Sequence, residues 1–202
     1  AHHLQTELPA VRLQAGEHLR HQAAAGRTQR MTVSDGATPG VDPVVVVGDE
    51  VHRPYDRPPL SKKLLSGEWE PDRIHLRQPE VFDELDVDWR LGSAAVGLDL
   101  GARLVGLANG ESIPFDSLII ATGARPRRLP GHDTFDHVHE LRSLDDALAL
   151  RAEIAPGGRR VVVIGAGFIG LEAAATAKTL GNDVIVLEGA SAPLIRGLGA
   201  EM

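Results

Sequence analysis

Residues 161–188, VVVIGAGFIGLEAAATAKTLGNDVIVLE, leave a chain few folds to choose from. Val161, Val162, Val163 and Ile164 read as a buried strand. Gly165-Ala166-Gly167-Phe168-Ile169-Gly170 follows, then an alanine-rich helix to Leu180 and a second apolar run, residues 184–187, closed by Glu188. This is a β-α-β unit carrying GxGxxG. Gly165 makes the tight turn, Gly167 lets the backbone approach a pyrophosphate, and Gly170 lets the helix pack closely on the strand. The helix N-terminus then offers the anion free N–H groups and a positive dipole end. Glu188 follows Gly165 by 23 residues, near the spacing at which an acid accepts hydrogen bonds from an adenosine ribose, and a carboxylate there repels a 2′-phosphate. NAD is therefore expected over NADP. A bare GxGxxG also occurs as a glycine-rich turn in ordinary α/β proteins; here strand, turn, helix, second strand and acid stand in register.

A chain of 202 residues has room for one large domain or parts of two. No apolar run approaches the ~18 residues a membrane helix needs, and the first thirty residues lack the apolar core of a secretory signal. The expected compartment is the cytoplasm. A net charge of -7 argues against nucleic acid as the main partner. Zero cysteines exclude disulfides, thiolate nucleophiles and Cys-based metal sites together.

Residues 1–43 are rich in Ala, Arg, Gln, His and Gly and poor in residues that build cores, so they are expected to be disordered or non-native, with a short helix over 9–25 as their one element. Their histidines (His2, His3, His18, His21) lack a carboxylate or thiolate partner set, and no metal site is expected. Order is expected from Val44. VVVV before Gly48-Asp49-Glu50 is a buried strand tipped by acids, the second strand of another nucleotide-binding unit. Next, Pro54, Pro58 and Pro59 are expected to hold the chain extended, and Ser61 to cap a short helix over 62–65. Arg53, Arg57, Lys62 and Lys63 form a basic cluster that reads either as surface charge or as phosphate or cofactor contacts. A short strand is expected at 74–76, a helix at 79–85, and β segments at 87–91, 94–98 and 103–107, the last turning at Asn109-Gly110 and returning through 113–115. Residues 116–122 read as a buried strand ended by Gly123. The basic stretch Arg125-Pro126-Arg127-Arg128 leads out of it, and a helix over 144–154 capped by Ser143 precedes the GxGxxG unit.

In order along the chain, VVVVGDE, RPYDRPPLSK, DSLIIATGARPRRLPG, LRSLDDA and VVVIGAGFIGLEAAATA resemble the FAD-dependent pyridine nucleotide oxidoreductases with two dinucleotide-binding domains. The resemblance covers about residues 44–202 and is closest to NADH-dependent ferredoxin reductases of the putidaredoxin and rubredoxin reductase kind. It implies an α/β fold of two Rossmann-like domains, both incomplete here, with a small β-meander in the FAD part. Residues 44–124 would be a partial FAD domain, 125–158 a linker and connecting helix, and 159–202 the first half of the NAD domain. It also implies roles. Asp49, with Glu50 beside it, meets the FAD ribose; Lys62 lies beside the flavin ring; Val96 gives a backbone contact to the adenine end. Thr122 and Gly123 lie near the flavin, Arg142 is a further FAD contact, and Glu172 is a carboxylate near flavin and nicotinamide that pairs with the lysine. For Val96, Arg142 and Glu172, packing and helix charge are equally good explanations. The implied reaction is hydride transfer from NADH to FAD and then single-electron transfer to a ferredoxin-type iron–sulfur protein. Relatives that reduce disulfides or peroxides hold a redox cysteine in the segment matching 58–67; this chain has none.

Two departures bear on that expectation. The family opens with a strand and GxGxxG of its own before the VVVVGDE strand, and residues 1–43 contain neither. The chain also ends after the first β-α-β of the NAD domain, so a truncated or damaged copy is expected, with apolar sheet faces exposed and residues 1–43 resembling out-of-frame translation of a GC-rich gene. The alternatives to an active reductase are a non-catalytic dinucleotide-binding fragment and an interaction module docking an acidic partner on Arg125-Pro126-Arg127-Arg128. Oligomeric state is not legible.

Overall fold

The computed structural model describes residues 30–34 and 44–199; the helix expected over 9–25 and the four N-terminal histidines lie outside them. The described residues divide into two compact units, those up to His52 with Asp83–Gly123, and Arg53–Phe82 with those from Ala124 onward.

The strands of the first unit are β1 (Arg30–Ser34), β2 (Val44–Gly48), β3 (Val87–Leu91), β4 (Ala95–Asp99), β5 (Leu104–Leu107), β6 (Ser112–Pro114) and β7 (Leu118–Ala121). One sheet has the order β3-β2-β1-β7, and β4-β5-β6 form the antiparallel meander. Strand β2 is parallel to β3, while β1 is antiparallel to both β2 and β7, so β2 and β7 point the same way. Val45 and Val47 of β2 pack with Val105 and Leu107 of β5 and with Phe115 and Leu118. Val46 is buried on the opposite face, which is why β2 reads as an unbroken apolar run.

Strand β1 corrects the expectation that residues 1–43 contain no strand. It pairs with a near and a distant strand: Met31 stands opposite Val47 on one side and Ile120 on the other. A Met-Thr-Val run of fair β propensity is thereby ordered by partners on both sides, one of them far away in sequence.

The second unit holds 3-10 helices at Pro58–Ser61 and Pro71–Ile74, then α2 (Leu144–Ile154), β8 (Arg160–Ile164), α3 (Phe168–Thr179), β9 (Asp183–Leu187) and α4 (Ile195–Leu198); α1 is Pro79–Asp83. Helix α2 begins as expected. Ser143 Oγ accepts the Asp146 N–H at 3.1 Å and Asp146 Oδ2 accepts the Ser143 N–H at 2.7 Å, a capping box. A further orphan donor of the first turn, the Leu144 N–H, is taken by the hydroxyl of fully buried Tyr55 at 2.9 Å. Tyr55→Phe leaves that N–H without its acceptor and is expected to cost about 1–3 kcal/mol in urea unfolding; an unchanged midpoint would show that the bond contributes nothing.

Three local expectations are corrected. Pro58 and Pro59 open a 3-10 helix rather than holding the chain extended, since a fixed φ suits a first turn. Ser61 ends that helix instead of capping another over 62–65, which form turns. The strand expected at 74–76 is reduced to one bridge, Tyr55 with His75, because the 3-10 helix ends at Ile74.

Strands β8 and β9 pair in parallel from Arg160 opposite Asp183 to Ile164 opposite Leu187. On one face Val161 and Val184 pack with Ala173 and Ala177 of α3, Leu65 and Ile154. On the other, Val162, Ile164, Ile185 and Leu187 are between 45% and 63% exposed. The buried strands read at 161–164 and 184–187 are thus covered on one side, because this two-stranded sheet meets a single helix. Ile120 in β7 is likewise exposed, against the buried strand read at 116–122. No described helix is long and apolar enough to cross a membrane.

Candidate functional site

The GxGxxG turn has the geometry its spacing predicts. Gly165 has a φ of 107°, open only to glycine, and its N–H is held by Leu187 O at 2.7 Å. A Cβ on Gly170 would lie 2.0 Å from Gly165 O, whereas a Cβ on Gly167 would meet nothing within 4 Å. Gly167 is also the N-cap of α3, with no side chain capping the first turn. Open space thus lies over N–H groups at the positive end of a helix, which fits a pyrophosphate. Glu188 closes the far side: Oε2 accepts the Ala166 N–H at 2.7 Å and Oε1 the Ala190 N–H at 2.8 Å. These bonds, Ala190 first, outweigh partial burial and hold the Glu188 carboxyl below its usual value.

Glu172 stands on the same helix, one turn past Phe168 at its start. Its Oε2 accepts from Lys62 Nζ at 2.9 Å and from Ser61 Oγ at 2.6 Å. Lys62 Nζ also reaches Pro58 O at 3.4 Å, and Thr176 Oγ1 donates to Ser61 O at 2.9 Å. Burial pushes the Glu172 carboxyl up, but the Ser61 bond, then the Lys62 bond and charge, bring it below the ordinary value. Lys62 and Glu172 are therefore brought together as expected. Ser61 and Thr176 were missed; Glu172 and Thr176, four apart on one helix face, were the available signal.

Arg57 and Arg142 also meet, through an Arg57 Nη1 bond to Arg142 O. The Arg57 guanidinium lies 5.1 Å over the Tyr55 ring, and Asp146 Oδ2 accepts the Arg142 N–H at 3.0 Å. In the first unit, Asp49 and Glu50 follow β2, and Thr122 and Gly123 follow β7. Both pairs leave the sheet at its carboxyl edge, on either side of Arg30 in β1. Two strand spacings, about 10 Å, separate them. Such an edge is where open α/β sheets receive ligands. Val96 lies apart in β4, 68% exposed.

Glu153 is held low as well, first by its bond to His137 at 3.0 Å. For lowered carboxyls the unfolded chain binds more protons, so their stabilisation is complete above the ordinary glutamate value of 4.5 and is lost as pH falls through the lower folded values. Urea unfolding is expected to show stability falling below about pH 4.5, with a smaller fall in Glu172→Gln. An equal fall in both proteins would remove Glu172 from the account.

The pyridine nucleotide-disulphide oxidoreductase family model matches residues 25–202, reaching further towards the N-terminus than the motifs do. Rhodocoxin reductase of Rhodococcus erythropolis is 41% identical over 160 residues, 79% of this chain and 37% of that protein. The ferredoxin–NAD(+) reductase component of the anthranilate 1,2-dioxygenase system of Burkholderia cepacia is 39% identical over 86% of this chain and 43% of its own length. Among solved structures, putidaredoxin reductase in its covalent complex with putidaredoxin superposes with a TM-score of 0.68 at 35% identity, over 74% of this chain and 37% of that one. The chain spans less than half the length of these relatives.

Proposed function

This chain belongs to the pyridine nucleotide-disulphide oxidoreductase family, and on that premise we propose that it binds FAD and NAD(H) as part of a reductase that takes a hydride from NADH and passes single electrons to a ferredoxin-type iron–sulfur protein. The observation that carries this reading is the Lys62–Glu172 pair mounted on the helix that opens with GxGxxG. When bound, FAD accepts the hydride of the nicotinamide and releases its electrons one at a time.

The chain's own part is to bind, orient and supply charge. The α3 N-terminus and the open face of Gly167 receive the NADH pyrophosphate, and Glu188 the adenosine ribose. Lys62, paired with Glu172, would supply a positive charge beside the flavin ring. In the first unit, Asp49 and Glu50 would accept from the FAD ribose, Thr122 and Gly123 would serve the flavin end and Val96 would offer a backbone contact to the adenine end; in the second unit, Arg57 and Arg142 would be FAD contacts. No side chain has to gain or lose a proton for a hydride to pass. In domain terms, residues 44–124 belong to an FAD domain and 159–202 to an NAD domain, joined through 125–158.

An iron–sulfur acceptor is supported by the relatives' names and by the lack of cysteine at 58–67. Local basic side chains steer an acidic protein despite the net charge of -7. The cytoplasm follows from the NADH requirement. The exposed face of Val162, Ile164, Ile185 and Leu187 favours a second reading, dinucleotide binding without turnover. NADH-dependent reduction of a [2Fe–2S] ferredoxin by the FAD-supplemented chain separates them. A rate above that of free FAD at equal concentration is expected, and a rate equal to it rejects the reductase reading.

A further inference from the structure

We propose that Ser61 and Thr176 are positioning residues that clamp the Ser61–Lys62 dipeptide onto one face of α3, so that a single oxygen of Glu172 is shared by a hydroxyl and an ammonium group and Lys62 is held at one point. The proposal rests on the reading of Lys62 and Glu172 as the charged pair beside the reacting rings.

An ion pair alone cannot fix that geometry. Lys62 is 47% and Glu172 32% exposed at the side chain, and a solvated lysine–glutamate pair gains little and holds two long side chains poorly. Ser61 is different. It is 4% exposed and flanked by Leu60, Leu64 and Leu65, all buried, so its backbone is fixed by packing. Its carbonyl accepts from Thr176 at 2.9 Å while its hydroxyl donates to Glu172 at 2.6 Å. The two α3 residues are four apart, one above the other on the same helix face, and both bonds end on Ser61. A short, rotor-poor residue therefore carries the registration, and the long lysine chain next to it inherits it. The hydroxyl and the ammonium favour the same ionised form of the carboxylate.

The test is the titration of the Glu172 side-chain carboxyl carbon by NMR in the full chain labelled with 13C-glutamate, the signal assigned with Glu172→Gln. Ser61→Ala is expected to move the Glu172 midpoint to higher pH, and Ser61→Thr, which restores an oxygen at the same place, to return it to the parent's. An unmoved midpoint in Ser61→Ala, or a shift in Ser61→Thr as large as that in Ser61→Ala, overturns the proposal. If Ser61→Ala does not fold, Thr176→Val against Thr176→Ser decides by the same comparison. Repeating the titration with FAD and NADH keeps the two claims apart: a Glu172 signal that answers to Ser61 but not to the cofactors supports the clamp and contradicts the reading of the pair.

Discussion

Alanine at Gly167 is expected to leave the fold standing and weaken NADH binding, while alanine at Gly170 is expected to damage the fold itself. The two glycines are three residues apart in one motif, but an added methyl meets opposite surroundings. At Gly170 it would lie 2.0 Å from the carbonyl oxygen of Gly165, a backbone atom that cannot swing aside. Helix α3 must then lift from the loop, at a cost of about 3 kcal/mol, the upper end for forced overpacking. At Gly167 nothing of the protein lies within 4 Å of the added atom, so stability is unchanged. The methyl group would stand in the open space over the α3 N-terminus that is proposed to receive the pyrophosphate, and NADH affinity is expected to fall tenfold or more, about 1.4 kcal/mol. Urea unfolding and NADH fluorescence titration of both variants check this. Equal stability losses in both, or unaltered NADH affinity in Gly167→Ala, would show that the motif here is a structural turn.

The second large effect is expected at Asn182, which is 2% exposed. Its Nδ2 donates to Ile154 O at 2.9 Å and Ala177 O at 3.0 Å, and its Oδ1 accepts the Arg159 N–H at 3.1 Å. One side chain thus joins the end of α2, the last turns of α3 and the start of β8. Asn182→Ala strands the Arg159 N–H, while Ile154 O keeps the Gly157 N–H at 3.1 Å and Ala177 O keeps the backbone N–H of residue 182 at 3.2 Å. One donor left unpaired and two carbonyls left with a single bond each give an expected loss of about 1–3 kcal/mol. A urea-unfolding change below about 1 kcal/mol would mean that water replaces the amide there.

What could be read from the sequence was whatever depends on near neighbours. The β8-α3-β9 order, the Ser143 cap of α2 and the Asn109-Gly110 turn between β5 and β6 each rest on residues a few positions apart. What escaped depends on distant partners. Strand β1 forms between β2, the next strand in the chain, and β7, more than eighty residues on, and that second, distant edge is not announced by its own composition. Asn182 looks like an ordinary turn residue after Gly181, and only the fold brings Ile154 O to its amide. Ser61 has cap chemistry, yet its hydroxyl goes to a carboxylate 111 residues later. The apolar runs of β8 and β9 mark strands correctly but carry no information on how many faces are covered, and one face is open. In the site, Gly165, Gly167 and Gly170 with Glu188 were legible from motif spacing, whereas the pairing of Lys62 with Glu172 was implied by the family resemblance and not by any spacing along the chain.

The most direct measurement is the visible absorption spectrum of the purified chain after incubation with excess FAD and removal of what stays unbound, followed by anaerobic addition of NADH. The account predicts a retained flavin band that NADH bleaches and that Glu172→Gln or Lys62→Met alters in bleaching rate. A protein that emerges colourless, or one whose retained flavin is indifferent to NADH, would contradict the claim that these residues form a working hydride path.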